Sequence, residues 1–143
     1  MCFEAGLWDN RLTDPWSVRP VLELLASGQY IKFIHRHVET LSEFELYLDK
    51  WLQRQYADYG LGYFALHGKP GVIWIGKTEI TIEDLGDRLG RRAEGRVLFF
   101  GSCGTVDVPK QRIESLLRAT RARAVCGYKA DVDGLARIFR SGV

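Results

Sequence analysis

The chain has 143 residues, 46% apolar and 27% charged, the balance of one globular domain with its own core and not of a disordered, fibrous or multidomain chain. Lys and Arg number 20 against 18 Asp and Glu, a formal charge of +2, so the sequence gives no electrostatic reason to expect a nucleic acid or membrane partner. From Gly101 onward eight basic residues stand against four acidic ones, a tilt expected of solvated helix faces.

In chain order, residues 2–8 read as a first strand and residues 16–26 as a helix. Val18, Val21, Leu22 and Leu25 share a face of that helix, Pro20 sits in its first turn and Gly28 stops it. Residues 30–38, rich in Ile, Phe and Val, are expected to form a strand. Thr40 with Glu43 forms a capping box that opens a helix to about Tyr56, with Leu41, Phe44, Leu48, Trp51 and Leu52 as its apolar stripe. Residues 61–66 are a near-continuous apolar run, the pattern of a strand buried on both faces of a parallel sheet. Residues 72–82 alternate as a hairpin turning at Gly76-Lys77, and residues 81–84 cap a short helix carrying Ile82, Leu85 and Leu89.

A second buried strand follows over residues 96–100, stopped by Gly101-Ser102-Cys103-Gly104. Pro109 falls in the first turn of a helix burying Ile113, Leu116 and Leu117, then come a strand over residues 124–128 and a last helix holding Leu135, Ile138 and Phe139. Strands alternating with helices predict an α/β fold: a single three-layer domain over residues 1–143 with a mostly parallel sheet.

Three cysteines, Cys2, Cys103 and Cys126, are an odd number without a close-spaced pair. They fit neither a disulfide framework nor a zinc ribbon, and they point to a reducing, cytoplasmic setting. Cys2 and Cys126 are expected as small core residues. No signal-like start and no apolar run near the ~18 residues of a membrane span is evident.

Ligands of open α/β sheets bind outside the carboxyl ends of the strands, and two reactive residues are expected there. His67 follows residues 61–66, and Cys103 follows residues 96–100 after Gly101-Ser102. A thiol and an imidazole on one rim make a candidate nucleophile and base, because the imidazole titrates near working pH. Gly68 and Gly104 lack side chains and admit a substrate backbone, and the N–H groups of Gly68 and Cys103 could meet a developing oxyanion.

This order of a strand, His67-Gly68, a hairpin over residues 71–75, a short helix, a strand and Gly101-Ser102-Cys103-Gly104 resembles the caspase-like cysteine peptidase superfamily, in particular its bacterial caspase-like and CHAT-type members. The likeness covers residues 30–128. It implies His67 as the catalytic base, Cys103 as the nucleophile and the Gly68 and Cys103 amides as oxyanion donors, with a protein or peptide substrate and no cofactor. Precedent within the superfamily implies cleavage after a charged residue, Arg or Lys in bacterial relatives and Asp in caspases. The chain departs from the pattern in two ways. Gly101 stands where catalytic members commonly carry a polar residue, and the chain ends at Val143 without the further strand and loops that shape their specificity pocket. A catalytically inactive caspase-like fold serving as an interaction or regulatory module is the alternative, with a regulatory protein as its partner.

Two further motifs carry less. Residues 71–78, Gly-Val-Ile-Trp-Ile-Gly-Lys-Thr, satisfy the P-loop pattern by letter, but their bulky strand formers fit a hairpin better than a phosphate cradle. His35 and His37 place two imidazoles on one side of a strand. No third ligand is evident nearby in the sequence, so they are expected as surface or rim histidines and no metal site is expected.

Overall fold

The computed structural model describes residues 1–6, 12–13 and 16–130. Five parallel strands form the central sheet: β1 (Cys2–Ala5), β2 (His35–Val38), β3 (Leu61–Ala65), β7 (Val97–Phe100) and β8 (Ala124–Gly127), in the order β2-β1-β3-β7-β8. Between β3 and β7 a separate antiparallel sheet is made by β4 (His67–Lys69), β5 (Val72–Ile75) and β6 (Thr78–Thr81). The described residues also hold four α-helices, α1 (Arg19–Ser27), α2 (Leu41–Trp51), α3 (Ile82–Leu89) and α4 (Lys110–Thr120), and two short 3-10 helices, Arg54–Tyr56 and Gly90–Ala93. The predicted α/β domain with a mostly parallel sheet is observed, and its layering is compatible with a three-layer arrangement.

Parallel register sorts the side chains by face. Phe3 pairs with Phe64 and Phe64 with Phe100, so three rings cross one face of the sheet, with centroids 5.2 and 5.3 Å apart. Phe44, Leu48 and Trp51 of α2 cover this row, joined by Leu85 and Leu89 of α3 and Leu116 of α4. Burying side chains of this size stabilises a fold by roughly 1.5–3 kcal/mol each, so this face is the core. Because side chains alternate along a strand, the other face receives Cys2, Glu4, His35, His37, Tyr63 and Phe99.

Both predicted capping boxes form. The Thr40 hydroxyl accepts from the Glu43 N–H and the Thr81 hydroxyl from the Asp84 N–H, with each carboxylate reaching back to the cap backbone. Gly62 gives Trp51 its place, since a Cβ there would lie 2.5 Å from the indole ring. The Arg96 guanidinium is packed 4.7 Å from the Trp51 ring and donates to the carbonyls of Trp51, Tyr56 and Tyr59. The end of α2, the turn after it and the start of β7 are thereby joined by one buried cation.

Several expectations are corrected. Strand β2 begins at His35, not at Tyr30, because among the described residues its ladder is with the four residues of β1, starting at Cys2 opposite His35. Helix α1 begins at Arg19 and buries none of its residues; Val21, Leu24 and Leu25 are exposed. Helical periodicity reports a helix, not what lies over its apolar face. Pro109 is the N-cap of α4 and not a residue of its first turn, and within that helix Leu116 is buried while Ile113 and Leu117 are only partly so. Cys126, expected in the core, is exposed: it alternates onto the face opposite the phenylalanine row. Part of the first expected strand, residues 7–8, and the helix expected around Leu135, Ile138 and Phe139 lie outside the described residues. Among the described residues no helix is long and apolar enough to cross a membrane.

Candidate functional site

His67, Gly68 and Cys103 all lie past the carboxyl ends of neighbouring strands. β3 and β7 pair with a constant offset, Phe64 opposite Phe100, and the Gly101 N–H continues the ladder to the Phe64 carbonyl at 3.0 Å. Beyond Ala65 the chain bends at Leu66 and leaves the sheet, so that His67 starts β4 opposite Trp74 of β5. The expectation that His67-Gly68 merely ends a strand is thus refined: it opens the second sheet.

The turn after β7 is fastened to this hairpin. Ser102 Oγ lies 2.6 Å from Thr105 Oγ1, Thr105 Oγ1 donates to the Val72 carbonyl at 3.1 Å, and the Gly71 N–H donates to the Thr105 carbonyl at 3.0 Å. Ser102 and Thr105 are buried and Cys103 between them is half-buried. A Cβ on Gly68 would come within 2.8 Å of Ser102 Cβ and 2.9 Å of the Val72 carbonyl, and would also meet the Thr105 hydroxyl. Glycine at position 68 is therefore required by close approach of β4 to the cysteine-bearing turn, which differs from the reason inferred from sequence, room for a substrate. Gly104 adopts φ +60°, the left-handed region where glycine is at no disadvantage.

At its far end the hairpin turns at Gly76 (φ +56°), where a Cβ would meet the Glu39 carbonyl. Glu39 follows the last residue of β2. The hairpin therefore spans the rim of the sheet from the turn after β7 to the end of β2. Beside His67 it leaves an open groove of about 430 Å³, lined with Trp74, Gly76 and Lys77. Lys69 lies 5.2 Å from the centre of the Trp74 ring, and its ammonium and the Trp74 indole N–H both reach Glu79 Oε1, at 2.6 and 3.0 Å. These bonds hold the Glu79 carboxyl below its ordinary pKa. The P-loop letters at residues 71–78 form β5 and the turn into β6, with no helix starting at Lys77-Thr78.

The three cysteines differ in setting. Burial pushes the Cys2 thiol up to about 12, with the Glu4 carboxylate adding to the shift. Cys103 is half-buried and Cys126 exposed.

A second polar cluster lies on the sheet face opposite the phenylalanine row, and sequence reasoning missed its third member. Glu4, wholly buried in β1, is the register partner of His37 and a diagonal neighbour of His35. His35 is buried, not at the surface, with Nε2 2.5 Å from Glu4 Oε2. Ser17 Oγ donates to Glu4 Oε2 and the Val18 N–H to Glu4 Oε1, both at 2.7 Å. The exposed His37 ring stands edge-on to His35, with centroids 4.8 Å apart. The missed signal was a carboxylate inside a buried strand, which must have polar partners.

No curated protein matches the chain. A family model described as a family of unknown function, DUF6642, matches residues 1–140, and the chain belongs to that family.

Proposed function

We propose that the chain is a caspase-like cysteine endopeptidase domain, with Cys103 as nucleophile and His67 as base. The observation that supports this reading is the packing of Gly68 against Ser102, which joins the two strand ends bearing His67 and Cys103. In the reaction Cys103 Sγ attacks the scissile carbonyl carbon and its proton passes to His67. The Gly68 and Cys103 N–H groups donate to the oxyanion. The tetrahedral adduct collapses to a thioester as the amine leaves with the proton from His67. Water, deprotonated by His67, then attacks the thioester and frees Cys103.

The test is intact-mass labelling of the native protein with peptide electrophiles bearing Arg, Lys or Asp at the reactive end, in a Cys126→Ser background. The expected result is stoichiometric, sequence-selective modification of Cys103 that is lost in Cys103→Ala and strongly slowed in His67→Ala. Labelling of Cys103 only after unfolding would overturn the proposal. A second reading, a catalytically inactive fold used as an interaction module, is favoured by the exposed Val21, Leu24 and Leu25 of α1, and it would be the conclusion from that outcome.

A further inference from the structure

We infer that Glu4, His35 and His37 form a binding site for a divalent transition cation of the Zn²⁺ class, separate from the Cys103 turn. Two imidazoles from alternate residues of β2 and one carboxylate from the adjacent β1 project from the same sheet face, and one ligand atom from each lies within 4.8 Å of the other two. Nitrogen and carboxylate donors bind Zn²⁺ at about 2.0–2.2 Å, which puts tetrahedral ligands roughly 3.3 Å apart. Glu4 Oε2 and His35 Nε2, 2.5 Å apart, are closer than this and must part by roughly 0.8 Å, and a rotation of the exposed His37 side chain closes the set.

The chain runs from β1 outward to β2 and then back past β1 to β3, so the strand order reverses at β1. The crevice at that reversal opens between β1 and β3; Glu4 on β1 borders it, and His35 and His37 lie across β1 on β2. Glu4 and His37 are each the last residue but one of their strands.

The chemistry of the donors agrees. The Ser17 hydroxyl and the Val18 N–H fix both Glu4 oxygens, the outer support by which ligating carboxylates are commonly oriented. To hold the cation, His35 would have to free Nε2 of any hydrogen shared with Glu4 Oε2, leaving that lone pair and the Glu4 oxygen as donors. With three protein ligands and His37 facing solvent, the remaining position is left to water or an exogenous ligand. This is the arrangement of an open site and not of a closed structural one.

The experiment is titration of the metal-free 143-residue chain with Co²⁺, followed by its visible d–d absorption, and with Zn²⁺ by calorimetry, in wild type, His37→Ala, Glu4→Gln and Cys103→Ser. One cation per chain is expected, with a spectrum lacking a thiolate charge-transfer band. Affinity should fall at least tenfold in His37→Ala and stay unchanged in Cys103→Ser. Because Glu4 and His35 are buried, Glu4→Gln can unfold the chain; the exposed His37 variant carries the test, with circular dichroism verifying its fold. Absence of stoichiometric binding, or binding that survives His37→Ala and disappears in Cys103→Ser, would overturn the inference.

Discussion

Gly68 and Ser102, 34 positions apart, sit so close that a Cβ on the glycine would lie 2.8 Å from Ser102 Cβ. That contact sets the hairpin on the turn after β7. Gly68→Ala must therefore push β4 away from Ser102 and Thr105, and overpacking of this kind costs roughly 1–3 kcal/mol. The expected outcome is a lowered denaturation midpoint, with Cys103 labelling slowed at least as much as in His67→Ala. Thr105→Val, which loses the hydroxyl bonds to Ser102 and Val72 without adding bulk at position 68, should cost about 1 kcal/mol. Urea denaturation of both variants checks the pair.

Cys126 and Cys2 should react in an order set by exposure. Cys126 is expected to alkylate readily in the native protein. Cys2, buried and with its pKa pushed up to about 12, should stay inert until the chain unfolds. Peptide mapping after timed alkylation reads this directly, and native-state labelling of Cys2 would contradict the burial.

Arg96 ties three carbonyls of the segment around Trp51 to the start of β7. Arg96→Met keeps much of the volume but strands those acceptors, at a cost of roughly 2–4 kcal/mol. Arg96→Lys recovers only part of this, because an ammonium cannot reproduce the planar fork. Thermal unfolding of the two variants should rank wild type above Lys and Lys above Met.

Glu83 and Arg112 join α3 to α4 through two bonds of 2.7 Å, and the Arg112 guanidinium also closes over Gly71. The side-chain bonds to Arg112 hold the Glu83 carboxyl below its ordinary value of 4.5. Between the two values the unfolded chain binds more protons than the folded one, so the contribution is full above about 4.5 and fades as pH falls through the lowered value. Both groups are partly exposed, which limits the pair to at most about 1 kcal/mol. Glu83→Gln should be less stable than wild type at pH 7 and equal to it in strong acid, as measured by denaturant midpoints across pH.

Removing a cap tests the local logic of the helices. Thr81→Ala leaves the Asp84 N–H without its side-chain acceptor and should destabilise by about 1 kcal/mol. The cost in Thr40→Ala should be similar, and chemical denaturation of the single and double variants should show near-additive effects because the two caps serve different helices.

What local chemistry dictates was legible in the chain. The boxes at Thr40 and Thr81, the turn at Gly76-Lys77, and the apolar runs of β3 and β7 each depend on residues a few positions apart, and each formed where the sequence put it. The positions of His67 and Cys103 just past β3 and β7 were legible for the same reason, since local pattern marks where each strand ends; the close approach that requires glycine at position 68 was not. Register and coverage were not. Cys126 was expected to be buried and α1 was read only as a helix with an apolar face; burial depends on which sheet face alternation selects and on what packs above it. Glu4, His35 and His37 are brought together by the parallel pairing of β1 with β2, and Gly68 meets Ser102 only because β3 and β7 are neighbours. Interactions spanning one turn or one pleat were enough to set most elements and their order along the chain. Tertiary structure alone decided which polar groups became neighbours, because strand pairing joins residues more than 30 positions apart and no local pattern encodes that choice.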